Sequence, residues 1–577
     1  MRLPYFKMIA VSTAILFCSI QEKGFAAFSY PGVPISSVYS VSTTENGITE
    51  SQSVFINSCP IYQEGYMNME PNDQYPLNIF KGRSINWVHF SKSYPLTVKV
   101  TVLDISKVPV TGSVVKVWPS RFGITASVSG NTITFTLTAP GQYSVEIGEN
   151  GYKNGLMVFA NPVETDVPAE SNPDFLVLNQ ATASSVASIP TQYTGIYFKP
   201  GVHNIGIFNI PSNIKNIYFA EGSWVYGALK MDGKPNVKIY GRGTLSSGKL
   251  EYRAAHGIEA INGSDGIKLE GITLADLKYF SVRLIGKNNV VKWTKVIGGW
   301  TYNCDGITGY EGSTVSNCFI WANDDAIKVY RNNIHWSDCV VWQLNNGGII
   351  QMSWGNSVSQ NVILSRIDVL RAEWNKPGFN RALINCVGNR YQTPGAYSLE
   401  SNWLVEDVVT ETEISVIFGI TPDPFTPNHI HGLTLKNWNV KMKMGTSYVN
   451  TITGNDLSTF FDGFVFDHFV FNNTLLTPSN WATVTEMNYS NLVTPVVLPD
   501  PSGLTDADTD AFQIVPNPVE NSLTFRGAEE GTVYRIFSLA GICLLQGKGR
   551  EVNVSSLIPG LYMLSIGKNR YARFVKK

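Results

Sequence analysis

Charge is what this sequence has least of. Only 15% of its 577 residues are Asp, Glu, Lys or Arg, and the two signs nearly cancel to a formal net charge of -1. So neutral a chain offers no basic footprint for nucleic acid and no electrostatic attraction to an anionic membrane. Cysteine is scarce as well, seven in all and with no C-x-x-C spacing, so no zinc site is expected. No apolar run reaches the roughly 20 residues that span a bilayer. No 3.6-residue hydrophobic period is sustained, which excludes helical repeats, and the leucine-rich-repeat consensus is missing.

Aromatic residues, by contrast, make up 12%, with 13 Trp and 26 Tyr, alongside 50 Gly. Runs such as "SVVKVWPSRFGITASVSGNTITFTLTAPGQYSVEIG" alternate apolar and polar residues between Gly, Pro and Asn, the pattern of strands joined by turns. An all-β extracellular protein is the natural reading. The first 27 residues, with Arg2 and Lys7 ahead of an apolar Met8 to Ile20 and a small-residue stretch at Gly24 to Ala26, read as a secretory signal. Residues 28–185 are expected to form a β-sandwich, with "NQATASSVASIPTQYTG" as a linker-like stretch near its end.

From about residue 195 a loose repeat sets in: "NVKIYGRGTL", "GIKLEGITL", "NVVKWTKVI", "TVSNCFIW", "IHWSDCVVW", "NVILSRIDVL". Units about 20 to 25 residues apart, each with β-branched residues at alternate positions, indicate a solenoid of stacked strands. A right-handed parallel β-helix over 186–497 satisfies that pattern. Cys318 and Cys339 fall at the same point of successive units, so these and Cys304 read as small buried residues in inward-facing columns. A Pro- and Asp-rich linker, 498–510, then leads to a small C-terminal β-sandwich, 511–577.

Against this low-charge background, "WTYNCDGITGYEGSTVSNCFIWANDDAIKVY" carries Asp305 and the adjacent pair Asp324 and Asp325. Aligned on their apolar residues, "CDGIT", "DDAIK" and "GGIIQ" come into register. Asp305 and Asp325 then share one column, roughly 5 to 7 Å apart, and Gly347 is taken as the next member. A metal loop would need more oxygen ligands at a recognisable spacing, and Lys328 lies nearby, so no metal and no cofactor is expected. A purely structural stack of acids at a β-helix turn stays open. The alternative is proton chemistry, since crowded carboxyls force one to keep its proton while others ionise. A glycosidase needs one such acid and one such carboxylate.

Trp300, Tyr302, Trp321, Tyr330, Trp342 and Trp354 lie in the same coils, and flat rings can stack on pyranoses. Some must be core, because "FIW" and "VVW" end buried strands; Trp354, just past a strand, is the best candidate for exposure. Lys328, Tyr330, Gln351, Trp354 and Tyr302 are the expected substrate contacts. His335 reads as a turn residue. Arg371 and Glu373 are free to reach the cleft from a later coil, and "RAEWNKPGFNRALINCVGNRYQTPGAYSLE" is a segment that would help close it.

"ANDDAIKVY" at 322–330, "IIQMSW" at 349–354 and "IYFKPGVHNIG" at 196–206 resemble glycoside hydrolase family 49, the dextranase and isopullulanase family. That resemblance implies an N-terminal sandwich joined to a parallel β-helix. It also implies inverting endo-type attack on α-glucans with α-1,6 linkages, Asp324 as general acid, and Asp305 and Asp325 activating water. Polygalacturonases share the Asn-x-Asp and Asp-Asp elements but expect Gly-His-Gly and Arg-Ile-Lys; here Asn346-Gly347-Gly348 replaces the former and the latter is missing. A glycan-binding β-helix without chemistry, and a calcium-dependent lyase, are the readings from other classes. Pro516-Asn517-Pro518, "LIPGLY" and the basic end "RYARFVKK" resemble the C-terminal sorting domains of type IX secretion cargo. That implies passage through an outer membrane by the type IX machinery, to the cell surface or beyond. A polysaccharide substrate and a monomeric state complete these expectations.

Overall fold

The computed structural model describes residues 30–59, 80–354, 358–375, 377–378, 380–387, 398–421, 428–453, 460–490, 492–498, 513–526, 531–538, 543–566 and 570–577. The expected signal, nearly all of the 498–510 linker and the middle of the expected cleft-closing segment lie outside these residues. No helix among them is long and apolar enough to cross a membrane.

The N-terminal sandwich has two five-stranded sheets. One contains Tyr39–Glu45, Leu96–Val102 and Thr132–Leu137, with the period-2 burial of a sheet that faces solvent on one side. The other contains Ser84–Ser91, Gly141–Ile147 and Asn154–Asn161, which are buried at almost every position. One of its faces packs on the first sheet. The other packs on the solenoid, where Trp87, Met157 and Phe159 meet Trp300, Phe319, Trp321 and Trp342.

The solenoid is a single 32-stranded sheet system in which nearly every strand pairs in parallel with its equivalent one coil on, the parallel β-helix the repeat predicts. Columns of apolar side chains fill its interior: Ile258, Val282, Ile307, Ile327, Ile350, Ile384 and Phe418 stack in one, and Leu245, Leu274, Val296, Ile320 and Val341 in another. Cys304, Cys318 and Cys339 are buried in this core. Asn317, Asp338, Arg366, Asp407 and Asn437 turn coil corners with φ of 54–56°. Asn and Asp tolerate that left-handed conformation best.

The parallel sheet opens at Phe175–Leu178, about ten residues ahead of the expected boundary at 186. The linker-like stretch instead holds a short helix, Ala183–Ala187, started by a Thr182 and Ser185 capping box. The C-terminal unit has a three-stranded and a four-stranded sheet around Leu523, Phe525, Ile536, Leu564 and Phe574.

Candidate active site

Asp324 and Asp325 sit in the four-residue turn between Phe319–Ala322 and Ile327–Val329. The turn's own Asn323 and a side chain of the following coil hold it in place. Asn323 accepts from the backbone N–H groups of Asn345 (3.1 Å) and Asn346 (3.2 Å), and its amide donates to the Trp300 carbonyl at 2.7 Å. Gln343 donates to the Asp324 carbonyl at 2.9 Å. Gly347, at φ 78°, crosses beneath; a Cβ there would stand 2.6 Å from Asp324 Cα and closer still to its carbonyl carbon. Only glycine fits this crossing.

Ile307 pairs with Ile327, and Ile327 with Ile350. Asp305 and Asp325 therefore do share a column, but its next member is Gly348, not Gly347. The Gly306 N–H donates to Asp325 O and the Ala326 N–H to Gly348 O, both at 2.9 Å. Gly348 is the second residue of "GGIIQ", the place that Asp325 holds in "DDAIK".

One carboxylate oxygen from each of Asp305, Asp324 and Asp325 lies within 4.8 Å of the others. All three residues are at least 94% buried. They wall a cavity of about 290 Å3 together with Phe280, Tyr302, Asn303, Lys328, Tyr330, Asn346 and Asn380. The three could chelate a cation, and the group that stands against them is the Lys328 ammonium. It bonds to Asp305 Oδ2, lies 3.9 Å from Asp325 Oδ2 and rests 4.1 Å from the centre of the Phe280 ring.

Burial opposes a charge on Lys328, but the carboxylates of Asp305 and Asp325 outweigh it and raise the ammonium above its usual range. Burial also pushes the Asp305 carboxyl up, yet its direct contact with a retained ammonium makes the two an ion pair. Asp324 lacks such a contact. Burial, and then repulsion from Asp325, raise it to about 7. Its oxygens accept from the Asn346 amide (2.6 Å), the Asn303 amide (3.3 Å) and the Asp325 N–H (3.0 Å). The site thus holds one carboxyl poised near neutrality beside a second tied to a lysine.

Of the expected substrate contacts, Tyr302, Lys328 and Tyr330 line the cavity. Lys328 is committed to the acids. Gln351, in contrast, is fully buried outside the cavity wall, and its side-chain oxygen accepts from Asn385 at 2.7 Å. The side chain of Trp354 lies outside the described residues. Trp300, Trp321 and Trp342 are not sugar platforms. Phe319 and Trp321 alternate with inward Ile320 and Ala322, and their outward face is the surface on which the sandwich docks. Arg371 and Glu373 do not reach the cleft either: Arg371 pairs with Glu146 at 2.7 Å, and Glu373 takes Arg83 at 2.6 Å and the Trp342 N–H at 2.7 Å. Sequence reading passed over Asn346, Asn303, Asn380 and Phe280 as cavity residues; Asn346 was noted only for not being histidine.

The fold and site define a parallel β-helix protein with an N-terminal sandwich and a buried three-carboxylate cleft. In sequence the chain is homologous to dextranases and to an isopullulanase. It is 24% identical to a dextranase of Arthrobacter globiformis over 374 residues, 58% of this chain and 58% of that protein. It is 23% identical to an isopullulanase of Aspergillus niger over 465 residues, 69% of this chain and 79% of that one. The match thus spans a little over half the length of the Arthrobacter dextranase. The structure of Dex49A from Penicillium minioluteum superposes with a TM-score of 0.70 at 17% identity, covering 82% of this chain and 96% of that one. No protein-family model matches.

Proposed function

We propose that the protein is a glycoside hydrolase that cleaves α-1,6-glucosidic linkages inside dextran-like glucan. The observation that carries this reading is the unequal treatment of three crowded carboxyls: Asp324 is raised to about 7, while Asp305 bonds to Lys328. Asp324 donates its proton to the glycosidic oxygen as the bond to the anomeric carbon breaks. Asp305 and Asp325 orient a water and take its proton as its oxygen bonds to that carbon. A near-neutral cleft with one lysine already neutralised suits an uncharged glucan better than a polyuronate.

Homology to dextranases supports the linkage. Because the isopullulanase match covers the larger share of this chain, pullulan is the second substrate to try. Export is part of the same proposal: the N-terminal segment would direct the chain out of the cytoplasm and the C-terminal unit would engage type IX machinery. Purified protein incubated with dextran, pullulan, starch and polygalacturonate, with product sizes recorded, tests the reading. Release of isomalto-oligosaccharides is expected; binding without new reducing ends would leave a glycan-binding protein, and unsaturated products a lyase.

The stereochemistry needs its own measurement. Family resemblance implies inversion, while three carboxyls with one oxygen each within 4.8 Å of the others also leave room for direct attack by one of them, which would retain configuration. Proton NMR of the first-formed anomer is expected to show β-products for inversion; α-products would assign one of the three aspartates as a nucleophile.

A further inference from the structure

Ile258, Val282, Ile307 and Ile327 form one continuous register. The residues two places before them are His256, Phe280, Asp305 and Asp325, so the acid column continues for two coils toward the N-terminus as aromatic rings. One coil step is about 4.8 Å, comparable with the length of a hexose unit. On the strands beside that column, Glu259, Arg283, Thr308 and Lys328 stand in a second row on consecutive coils.

These rows are built as a surface. The His256 ring lies flat on Tyr279, 4.3 Å between centres and 14° between planes. Arg283 bonds to Glu259, Lys230 is 3.8 Å from the same carboxylate and His256 Nε2 is 3.4 Å from it, so the Glu259 charge is fully paired. Burial lowers His256 to about 4, which leaves it a neutral ring at ordinary pH. Thr308, 5% exposed, has a hydroxyl with no partner among the described residues, and the Tyr330 hydroxyl in the cavity is in the same position. Unsatisfied buried hydroxyls are costly; the one on Tyr330 is in the cavity wall, the one on Thr308 stands in the row beside Lys328, and a sugar hydroxyl would satisfy either.

We propose that the two coils before the acids form a distal glucosyl subsite, with His256 stacked on Tyr279 as platform and the Arg283–Glu259 pair and Thr308 as hydroxyl partners. The glucan then runs along the solenoid axis, over Phe280, with the scissile bond at the Asp305 and Asp325 coils. This rests on the reading of the acids as a glucan-cleaving site and gives that site a direction.

Two full-length variants, His256→Ala and Arg283→Gln, test it through kcat/KM on dextran and on isomaltotriose. The short substrate fills fewer coils, so the ratio of dextran to isomaltotriose efficiency is expected to fall about tenfold in each variant, the worth of one stacked ring or one charged hydrogen bond. Because both substrates are measured on one preparation, a misfolded fraction cancels from the ratio. An unchanged ratio in both variants, with the wild type active on dextran, overturns the subsite alone. A wild type that cleaves neither substrate overturns the proposed activity, and the subsite with it.

Discussion

Lys328 bonds to Asp305 and stands 3.9 Å from Asp325, so the cation that divides the three acids comes from the strand that follows them. Lys328→Met would leave two buried carboxylates without it. Removing one partner of a buried pair costs about 3–5 kcal/mol, and the melting temperature is expected to fall accordingly. Without the ammonium the carboxyls rise, so any residual activity should have its acid limb displaced to higher pH. A folded, fully active variant with an unmoved profile would show that Lys328 does not set the ionisation of the site.

Asp324→Asn keeps the size of the side chain and the hydrogen-bonded turn but removes the transferable proton. Hydrolysis of dextran is expected to fall by about 10²–10⁴, with little change in melting temperature. Retained activity would move the acid role to another residue.

The pH profile follows from the same residue. Its carboxyl is raised to about 7, and the proposed reaction needs it protonated, so activity should decline as pH rises through about 7. The folded protein holds this proton more tightly than the unfolded chain, whose carboxyl titrates near 3.8. Its contribution to stability is thus full below about 4 and lost as pH rises toward about 7. Chemical denaturation at several pH values should show that slope in the wild type and lose it in Asp324→Asn.

Gly347→Ala forces a methyl group into the Asp324 backbone at a φ of 78°. The left-handed conformation alone costs about 1–2 kcal/mol. Displacement of the acid turn should lower kcat more than it raises KM, which steady-state kinetics will separate from a general loss of folded protein.

Trp321→Ala is the contrasting case. Trp321 is fully buried, 4.8 Å from Trp342 and 5.1 Å from Trp300 between ring centres. The variant should lose about 3–5 kcal/mol of stability while KM of the folded fraction stays put. A raised KM would return the tryptophans to the substrate.

The solenoid was legible because its two signals, alternation and a unit of about 20 residues, are local and repeat many times. The Asp305 and Asp325 pairing was legible for the same reason: identical spacing to Ile307 and Ile327 sets the register. The third column member, Gly348, is the second residue of "GGIIQ" and so was legible from the same alignment; Gly347 is one place short of it, as the backbone pairing shows. Which way a residue faces across a domain boundary was not legible at all. Trp300, Trp321, Trp342, Arg371 and Glu373 lie close to the acids in sequence, yet they point outward onto the sandwich, whose docking face leaves no local periodic signal.

Because one sheet of the sandwich is buried on both sides, with Trp87 and Phe159 pressed against the tryptophans of the acid-bearing coils, the border between the two units is interior rather than surface. A solenoid transplanted without its sandwich would carry an indole-lined scar, prone to self-association. Recombination or engineering that exchanges one unit without the other would cut through this interface.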